Sequence, residues 1–488
     1  MISLALTVSG ALLLVLALPG FSYIGLAPIC LAPALLGAAR ETNAKRRALY
    51  GWAAGFVYWF GVCYWIGGVL AGYAGLSLPL AWLTFFLFCT IKALHWALFQ
   101  WLAGYLIETR LALLLVPALW TGIERTQQYS GFTWLALGNT GIDMAALMRL
   151  APYAGVHGLS LAFAMMNTAA ALLLLRRPRK QLLPLLALPL VYLLPAMPEL
   201  EQGRQSAVVV QPNIDESADW SASTTQETIR RLVSVSLEEA LTRKPAPALI
   251  VWPEVPAPFY YEIDAFFREQ TLQLATLSQA DFLFGAVAYA RSGAPLNSAF
   301  LVGRDGSLAA RYDKVRLVPF GEFVPPPFGF IRKISSEAGD FTPGVNQIIM
   351  PGSSSRLGVF ICYESVFGDY VRNFPARGAS VLVNLSNDGY FGRSAAREQH
   401  LLLARMRAAE NRRWLIRATN NGITASIDPA GRIASRLPPF QLTAGRVRFT
   451  PIEDLTFYSR FGDWLAWLCL AAAIAAAALQ TPHRKRGG

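Results

Sequence analysis

The sequence predicts a polytopic α-helical membrane domain of about eight spans joined to an extracytoplasmic α/β domain. Three observations lead there. Hydrophobic residues make up 54% of the chain and charged residues only 15%, where a soluble protein carries about a quarter charged residues. The imbalance is confined to the first 200 residues and the last 30, while 201–455 has the composition of a globular domain. Within that middle stretch, short β-branched runs alternate with helical patterns. The expected division is a transmembrane domain over 1–200 with about seven spans, a globular domain over 201–455 and a C-terminal transmembrane helix over 461–482.

Residues 1–39 contain no Asp, Glu, Lys or Arg. The run is long enough for two spans of about 20 residues, with "LPGFSYIG" as the turn between them. A cleaved secretory signal needs a positive region before a short apolar stretch, and "MISLALTVSG" offers only the amino terminus. Further spans are expected near 50–72, 79–107, 110–125, 159–175, 181–197 and 463–480, of which 110–125 is short. With that count, "AKRRAL" (44–49), the turn at Arg110, "RRPRK" (176–180) and the tail "HRKRGG" all flank spans on one side. Cytoplasmic flanks are enriched in Lys and Arg, so this side is the cytoplasm and 201–455 lies opposite. One basic cluster alone reads equally well as a headgroup patch or a solvated turn; the shared parity favours topology. The net charge of +12 is mostly this bias, and no nucleic-acid signature accompanies it. Lys92 and His95 lie one helical turn apart in an apolar segment. Intramembrane ionisable groups are functional candidates, but a snorkelling lysine fits too, and neither residue receives a role.

In the globular stretch, apolar runs bounded by turn residues read as buried strands: 206–213, 248–254, 281–290, 297–303, 357–364, 379–388 and 413–422. Helices are expected at 224–243, where Ile229, Val233, Leu237 and Leu241 recur every four positions, at 260–279 and at 397–412. Alternating strands and helices argue for an α/β sandwich. No internal repeat, metal-ligand spacing or glycine-rich phosphate loop stands out.

Polar residues gather where the apolar runs stop: Glu254 in "VWPEVP", Lys314 and Glu322 in "RYDKVRLVPFGEFVP", and Cys362, Tyr363 and Glu364 in "FICYES". Singly each is weak, since Glu254 suits a turn before Pro256 and Lys314 suits a hairpin beside Asp313. Cys362 is the domain's single cysteine. Extracytoplasmic proteins tend to pair their cysteines, so a leftover thiol is either a reactive group or a small buried hydrophobe. A nucleophilic thiol needs a base. The domain's one histidine, His400, is a candidate. The better option is Glu254 as base, with Lys314 stabilising charge on the attacked carbonyl oxygen. The backbone N–H of Tyr363 is then a second oxyanion donor, and Glu322 holds Lys314 by a charge-assisted hydrogen bond.

The blocks "LIVWPE", "YDKVRLVPFGEFVP" and "GVFICYESVF" resemble, in order and spacing, the catalytic blocks of the nitrilase superfamily. Its members use a Glu–Lys–Cys triad on an αββα sandwich. The branch that resembles the whole chain, with seven spans before the domain and one after, is the apolipoprotein N-acyltransferases of bacterial inner membranes. "QPNI" with Trp220 and "LSNDGYFG" are similar to that branch too. The resemblance implies Glu254 as general base, Lys314 as oxyanion stabiliser and Cys362 as nucleophile, with Glu322, Trp220, Tyr363 and Glu364 at supporting or substrate-binding positions. It implies no cofactor and no metal. Two departures separate the chain from soluble relatives: Glu364 stands where many have Asp, and "FGDY" replaces a Pro-containing turn.

The resemblance also implies a ping-pong acyl transfer. A phospholipid donor, expected to be phosphatidylethanolamine, acylates Cys362, and the α-amino group of a diacylglyceryl-cysteine on an apolipoprotein takes the chain. This is the last step of bacterial lipoprotein maturation, performed by a monomer in the inner membrane with its catalytic domain on the periplasmic side. Residues 323–345 are rich in large apolar groups for a Pro/Gly-containing segment, which suits a lid dipping into the outer leaflet or a loop packed on its own domain. Two other functions compete. A membrane-tethered amidase shares the triad but needs neither eight spans nor an apolar lid. A transporter or sensor carrying an inert sandwich would tolerate loss of a triad member, and here all three are present.

Overall fold

The fold is described from a computed structural model, for residues 1–72, 76–200, 202–215, 220–255, 258–319, 321–323 and 341–480. Among these, residues 1–72, 76–197 and 461–480 form one compact unit and 198–460 another.

The first unit is helical. Two of its helices, Leu78–Leu106 and Ala151–Leu174, are long and apolar enough to cross a membrane, and the pair Ala44–Cys63 and Trp65–Gly72, bent by 59°, makes a third if counted as one span. Elsewhere proline reshapes the expected helices. After Ile2–Ala17 the chain makes a short 3-10 turn at Ile24–Leu26, and the next helix, Ala32–Arg40, has only nine residues. The stretch expected as a helix over 181–197 is a 3-10 helix at Arg179–Leu193 containing Pro184 and Pro189. Each proline removes a donor and disfavours α geometry in the residue before it. Lys92 does not snorkel. It is buried, its ammonium donating to the Phe132 carbonyl (2.6 Å), the Ser130 hydroxyl (2.6 Å) and the Gln127 carbonyl (3.2 Å). It thereby closes the chain reversal that follows the helix Ala112–Thr126. An Arg125–Asp463 ion pair of 2.6 Å joins that helix to the start of the C-terminal helix Trp464–Gln480.

The second unit is a sandwich of two six-stranded sheets. The first holds β1 (Gln205–Gln211), β2 (Leu249–Val251), β3 (Asp281–Tyr289), β4 (Pro295–Val302), β5 (Leu308–Asp313) and β12 (Thr443–Phe449), in the order β12-β1-β2-β3-β4-β5. The second holds β6 (Met350–Pro351), β7 (Arg356–Ile361), β8 (Val381–Ser386), β9 (Leu415–Thr419), β10 (Ala425–Ile427) and β11 (Ile433–Arg436), in the order β11-β10-β9-β8-β7-β6. The centres, β1-β2-β3 and β7-β8-β9, are parallel, and the other pairings are antiparallel.

Alternation divides each strand between two faces. In the first sheet Val208, Val210, Phe282, Phe284 and Phe300 point one way, into a core with Ile229 and Leu232 of the helix Ala222–Thr242 and Phe267 of the helix Ala265–Ser278. Trp252 packs there as well, edge-on to Phe282 at 4.9 Å. The intervening residues point the other way, toward the second sheet, against which β1 and β12 pack. With both faces covered, the central strands are apolar along their whole length, which is why they stand out in the sequence. The helix expected over 260–279 starts later than its apolar pattern, because Asp264 caps it by accepting from the Phe267 N–H. Helix Ala396–Asn411 covers the second sheet and lies against the turn that follows β7.

Candidate active site

The parallel strands β2, β7 and β8 deliver their carboxyl ends to one place, where an α/β layer exposes working residues. β2 stops after three residues because Pro253 has no N–H to continue the ladder. The next residue, Glu254, stays close to β3: the Pro253 carbonyl accepts from the Gly285 N–H at 3.1 Å. Gly285 is required by that approach, since a Cβ there would stand 2.7 Å from the Glu254 Cα and from the Pro253 carbonyl oxygen.

Glu254 is buried and fully engaged. One carboxylate oxygen accepts from the Lys314 ammonium at 2.9 Å and the Asn297 amide at 2.8 Å, and the other accepts from the Asn387 N–H at 2.7 Å. Lys314, which follows β5, also donates to Glu322 at 2.9 Å, and Asn297 donates to the same Glu322 oxygen at 2.7 Å. Lysine and asparagine thus both bridge the same two carboxylates. Glu322 is fixed in turn by the Val318 N–H, at 2.8 Å.

Cys362 begins a 3-10 turn, Cys362–Val366, directly after β7. Its φ is +49°, the left-handed region that side-chain-bearing residues seldom adopt. Glu364, wholly buried, fixes this turn to the loop that carries Lys314. Its carboxylate accepts from the backbone of Ile361 (2.7 Å), Val315 (2.8 Å) and Arg316 (3.0 Å) and from the Tyr312 hydroxyl (2.7 Å). Burial raises the Glu364 carboxyl above the usual range, opposed by those donors. Tyr363 is buried edge-on against Phe367, at 5.1 Å.

Electrostatics set the resting protonation. Burial, and after it the Glu254 carboxylate, push the Cys362 thiol well above its ordinary range, against Lys314 and a hydrogen bond with Ser386. For Lys314 burial disfavours the charge, but Glu254, Glu322 and Cys362 outweigh it and hold the ammonium well above the usual lysine range. At neutral pH the site therefore holds a protonated thiol and a firmly charged lysine. This suits a nucleophile that loses its proton only as it attacks.

A second cluster underlies the turn. His400 places one ring nitrogen 2.8 Å from the Ser365 hydroxyl and 3.2 Å from the Cys362 carbonyl oxygen, and the other 2.9 Å from Asp388. Arg417 reaches the same Asp388 at 2.7 Å. With both ring nitrogens so engaged, His400 is poorly placed to be the base for the thiol. Trp220 packs half-buried against the outer core of the first sheet, as Ile214 does, and no described contact ties it to Cys362. Asn297, Ser386, Asp388 and Arg417 belong to the site without standing out in the sequence. The signal for two of them, Ser386 and Asp388, is a polar residue at the end of an otherwise apolar run. Among the described residues no cluster of His, Cys, Asp and Glu fits a metal ion.

Residues 206–450 match the family model of carbon-nitrogen hydrolases, and residues 10–169 match that of the apolipoprotein N-acyltransferase N-terminal domain. An apolipoprotein N-acyltransferase of Geobacter metallireducens is 34% identical, covering 97% of this chain and 94% of that protein. Namesakes from Vibrio vulnificus and Pseudomonas syringae are 32% and 33% identical, covering 91% and 94% of this chain. The chain belongs to the apolipoprotein N-acyltransferase family. Among solved structures, an amidase of the nitrilase superfamily from Nesterenkonia is similar at 18% identity and a TM-score of 0.40, over 54% of this chain and 95% of the amidase. Apolipoprotein N-acyltransferases are transferases, and the likeness runs through both units, not only the carbon-nitrogen hydrolase domain. That extent weighs against a tethered amidase.

Proposed function

We propose that Cys362 carries the acyl chain from a phospholipid to the α-amino group of a diacylglyceryl-cysteine on an apolipoprotein, with Glu254 as general base and Lys314 as oxyanion stabiliser. The single observation that supports this most is the shared position of Lys314, hydrogen-bonded to Glu254 and Glu322 at 2.9 Å each and charge-coupled to the Cys362 thiol. In the first half-reaction the thiol proton moves to Glu254 as sulfur attacks the ester carbonyl. The oxygen that becomes negative faces the one ammonium hydrogen of Lys314 not given to a carboxylate, and the Tyr363 N–H. Collapse breaks the ester C–O bond, and Glu254 returns the proton to the departing glycerol oxygen, leaving a thioester and a lysophospholipid. In the second half the amine attacks the thioester, its proton passes to Glu254 and then to the leaving sulfur, and the amide is released.

The donor is phosphatidylethanolamine, the enzyme a monomer, and the reaction the last step of lipoprotein maturation. In this reading the chain crosses the inner membrane about eight times, with the catalytic unit on the periplasmic side, which the parity of the basic clusters supports. Of the apolar segment 323–345 read as a lid, residues 324–340 lie outside the described residues. Mixed with phosphatidylethanolamine and no amine, the protein should gain the mass of one acyl group, absent in Cys362→Ala and released by neutral hydroxylamine. A diacylglyceryl-cysteine peptide should then discharge it onto the peptide nitrogen. Fatty acid released at one rate with or without peptide would indicate a hydrolase instead.

A further inference from the structure

We infer that Arg417, Asp388 and His400 form a positioning device for the nucleophile, holding the left-handed backbone of Cys362 from beneath so that its thiol stays aimed at the acyl carbonyl. The inference rests on the reading of Cys362 as the acyl carrier. All three side chains are essentially out of solvent, at 0%, 0% and 1% exposure, as is Ser365 at 0%. Buried charges hold their places only when each is paired, and here the pairing is sequential. Arg417 donates to Asp388 at 2.7 Å and comes within 3.0 Å of the His400 ring, and through its other nitrogen it donates to Asn384. Asn384 donates to the carbonyl of Phe360, two residues before the nucleophile, at 3.2 Å.

The cluster could simply bind β8, β9 and the helix Ala396–Asn411 together. Its far end argues for more. The His400 nitrogen that faces the site reaches two groups of the turn itself, the Ser365 hydroxyl and the Cys362 carbonyl oxygen. Asp388 also accepts from the Ser386 hydroxyl at 2.8 Å, and Ser386 is the residue that hydrogen-bonds the thiol. The device therefore holds Cys362 by its backbone, through His400, while Asp388 fixes Ser386 beside it in the site. A φ of +49° at a cysteine persists only when its surroundings over-determine it. These are the groups that do so.

The test uses the full-length protein in detergent with phosphatidylethanolamine, reading the rate and pH profile of acyl-adduct formation by intact mass. Glutamine places an amide nitrogen near the outer ring nitrogen of histidine, and asparagine only near the inner one. His400→Asn should form the adduct about a hundredfold more slowly, the scale of a nucleophile misplaced by about 1 Å. His400→Gln should recover much of that loss. Ser365→Ala, which removes one hydroxyl and little volume, should slow the step about tenfold, as loss of an orienting partner does elsewhere. It carries the test if both His400 variants lose their thermal unfolding transition. In all three the midpoint of the pH profile should stay that of the parent, because Glu254 and Lys314 are untouched. A shifted midpoint would make His400 a proton-transfer group and overturn the positioning role. So would equal rates for the glutamine and asparagine variants, or a parental rate for Ser365→Ala. An adduct that survives Cys362→Ala would instead remove the acyl-carrier reading on which this one stands.

Discussion

Glu254 accepts hydrogen bonds from three donors, those of Lys314, Asn297 and Asn387. Glu254→Gln removes the proton acceptor and also turns an amide toward one of these donors. Adduct formation should fall by about 10²–10⁴-fold, the usual contribution of a general base, while His400→Gln should cost far less. The reverse ranking would reinstate a cysteine–histidine pair. Asp388 supports a prediction about stability. Burial alone would raise its carboxyl, but Arg417 and then His400 outweigh it and hold it well below the usual range. A depressed carboxyl contributes stability in full above its unfolded value, about pH 4, and loses it as pH falls through the folded value. Thermal melts should therefore show the gap between the parent and Asp388→Asn widest at neutral pH and narrowing below about pH 4. A constant gap would mean that the carboxylate is not paired in the folded state. Glu254 and Cys362 are legible in the sequence because each closely follows an apolar run, and Lys314 because it stands in the block "YDKVRLVPFGEFVP". Asn297 and Arg417 are not, since each lies inside a strand and shows its role only when the strand's inner face is known. Asp388 reads as a turn residue, which it also is.

Among the elements, β2 shows how short a strand can be and still place a base, since the backbone contact of Pro253 with Gly285 continues its alignment past the last paired residue. Gly285→Ala puts a methyl group against backbone atoms that no rotamer change can move. Such overpacking costs about 1–3 kcal/mol, and here it falls on the turn that carries Glu254. Adduct formation should drop about a hundredfold. Combined with Glu254→Gln the further loss should be small, because both changes remove the same base; full additivity would show that Gly285 acts elsewhere. The central strands are visible as apolar runs, whereas β5, β10, β11 and β12 are not. β5 and β11 are exposed on one side, β10 has three residues, and β12 alternates polar and apolar residues. The segment Arg179–Leu193 reads as an α-helix on hydropathy alone, which ignores what two prolines do to the backbone.

At the scale of the whole molecule, the proposed topology depends on whether that proline-bearing segment crosses the bilayer. Its 15 residues, at about 2 Å of rise each in a 3-10 helix, extend about 30 Å, the thickness of a hydrocarbon core. Leu183, Leu186, Leu190 and Leu193 are exposed along it, as a lipid-facing surface requires. A reporter active only outside the cytoplasm should therefore work when fused after Gly203 and fail when fused at Arg179. Two reporters that agree would mean that the segment does not cross, and the opposite pattern would mean one span fewer before it. The division of the chain into apolar and globular stretches is legible from charge content alone, and the number of crossings is not, because length and hydropathy do not reveal where a helix breaks.

The raised pKa of the Cys362 thiol, a result of its burial, has a consequence for survival. Oxidants and disulfide-exchange proteins attack the thiolate, and a cysteine whose thiolate is scarce at neutral pH reacts with them slowly. On the proposed periplasmic side a catalytic unit would work where free thiols are captured, and this one keeps a single cysteine that is in no disulfide. Holding the proton on sulfur until an ester carbonyl arrives beside Lys314 leaves the residue inert to peroxide and to wandering disulfides, yet open to its own donor. The same burial that slows the nucleophile at rest would give it a long chemical lifetime in an oxidising compartment, as the proposed topology requires.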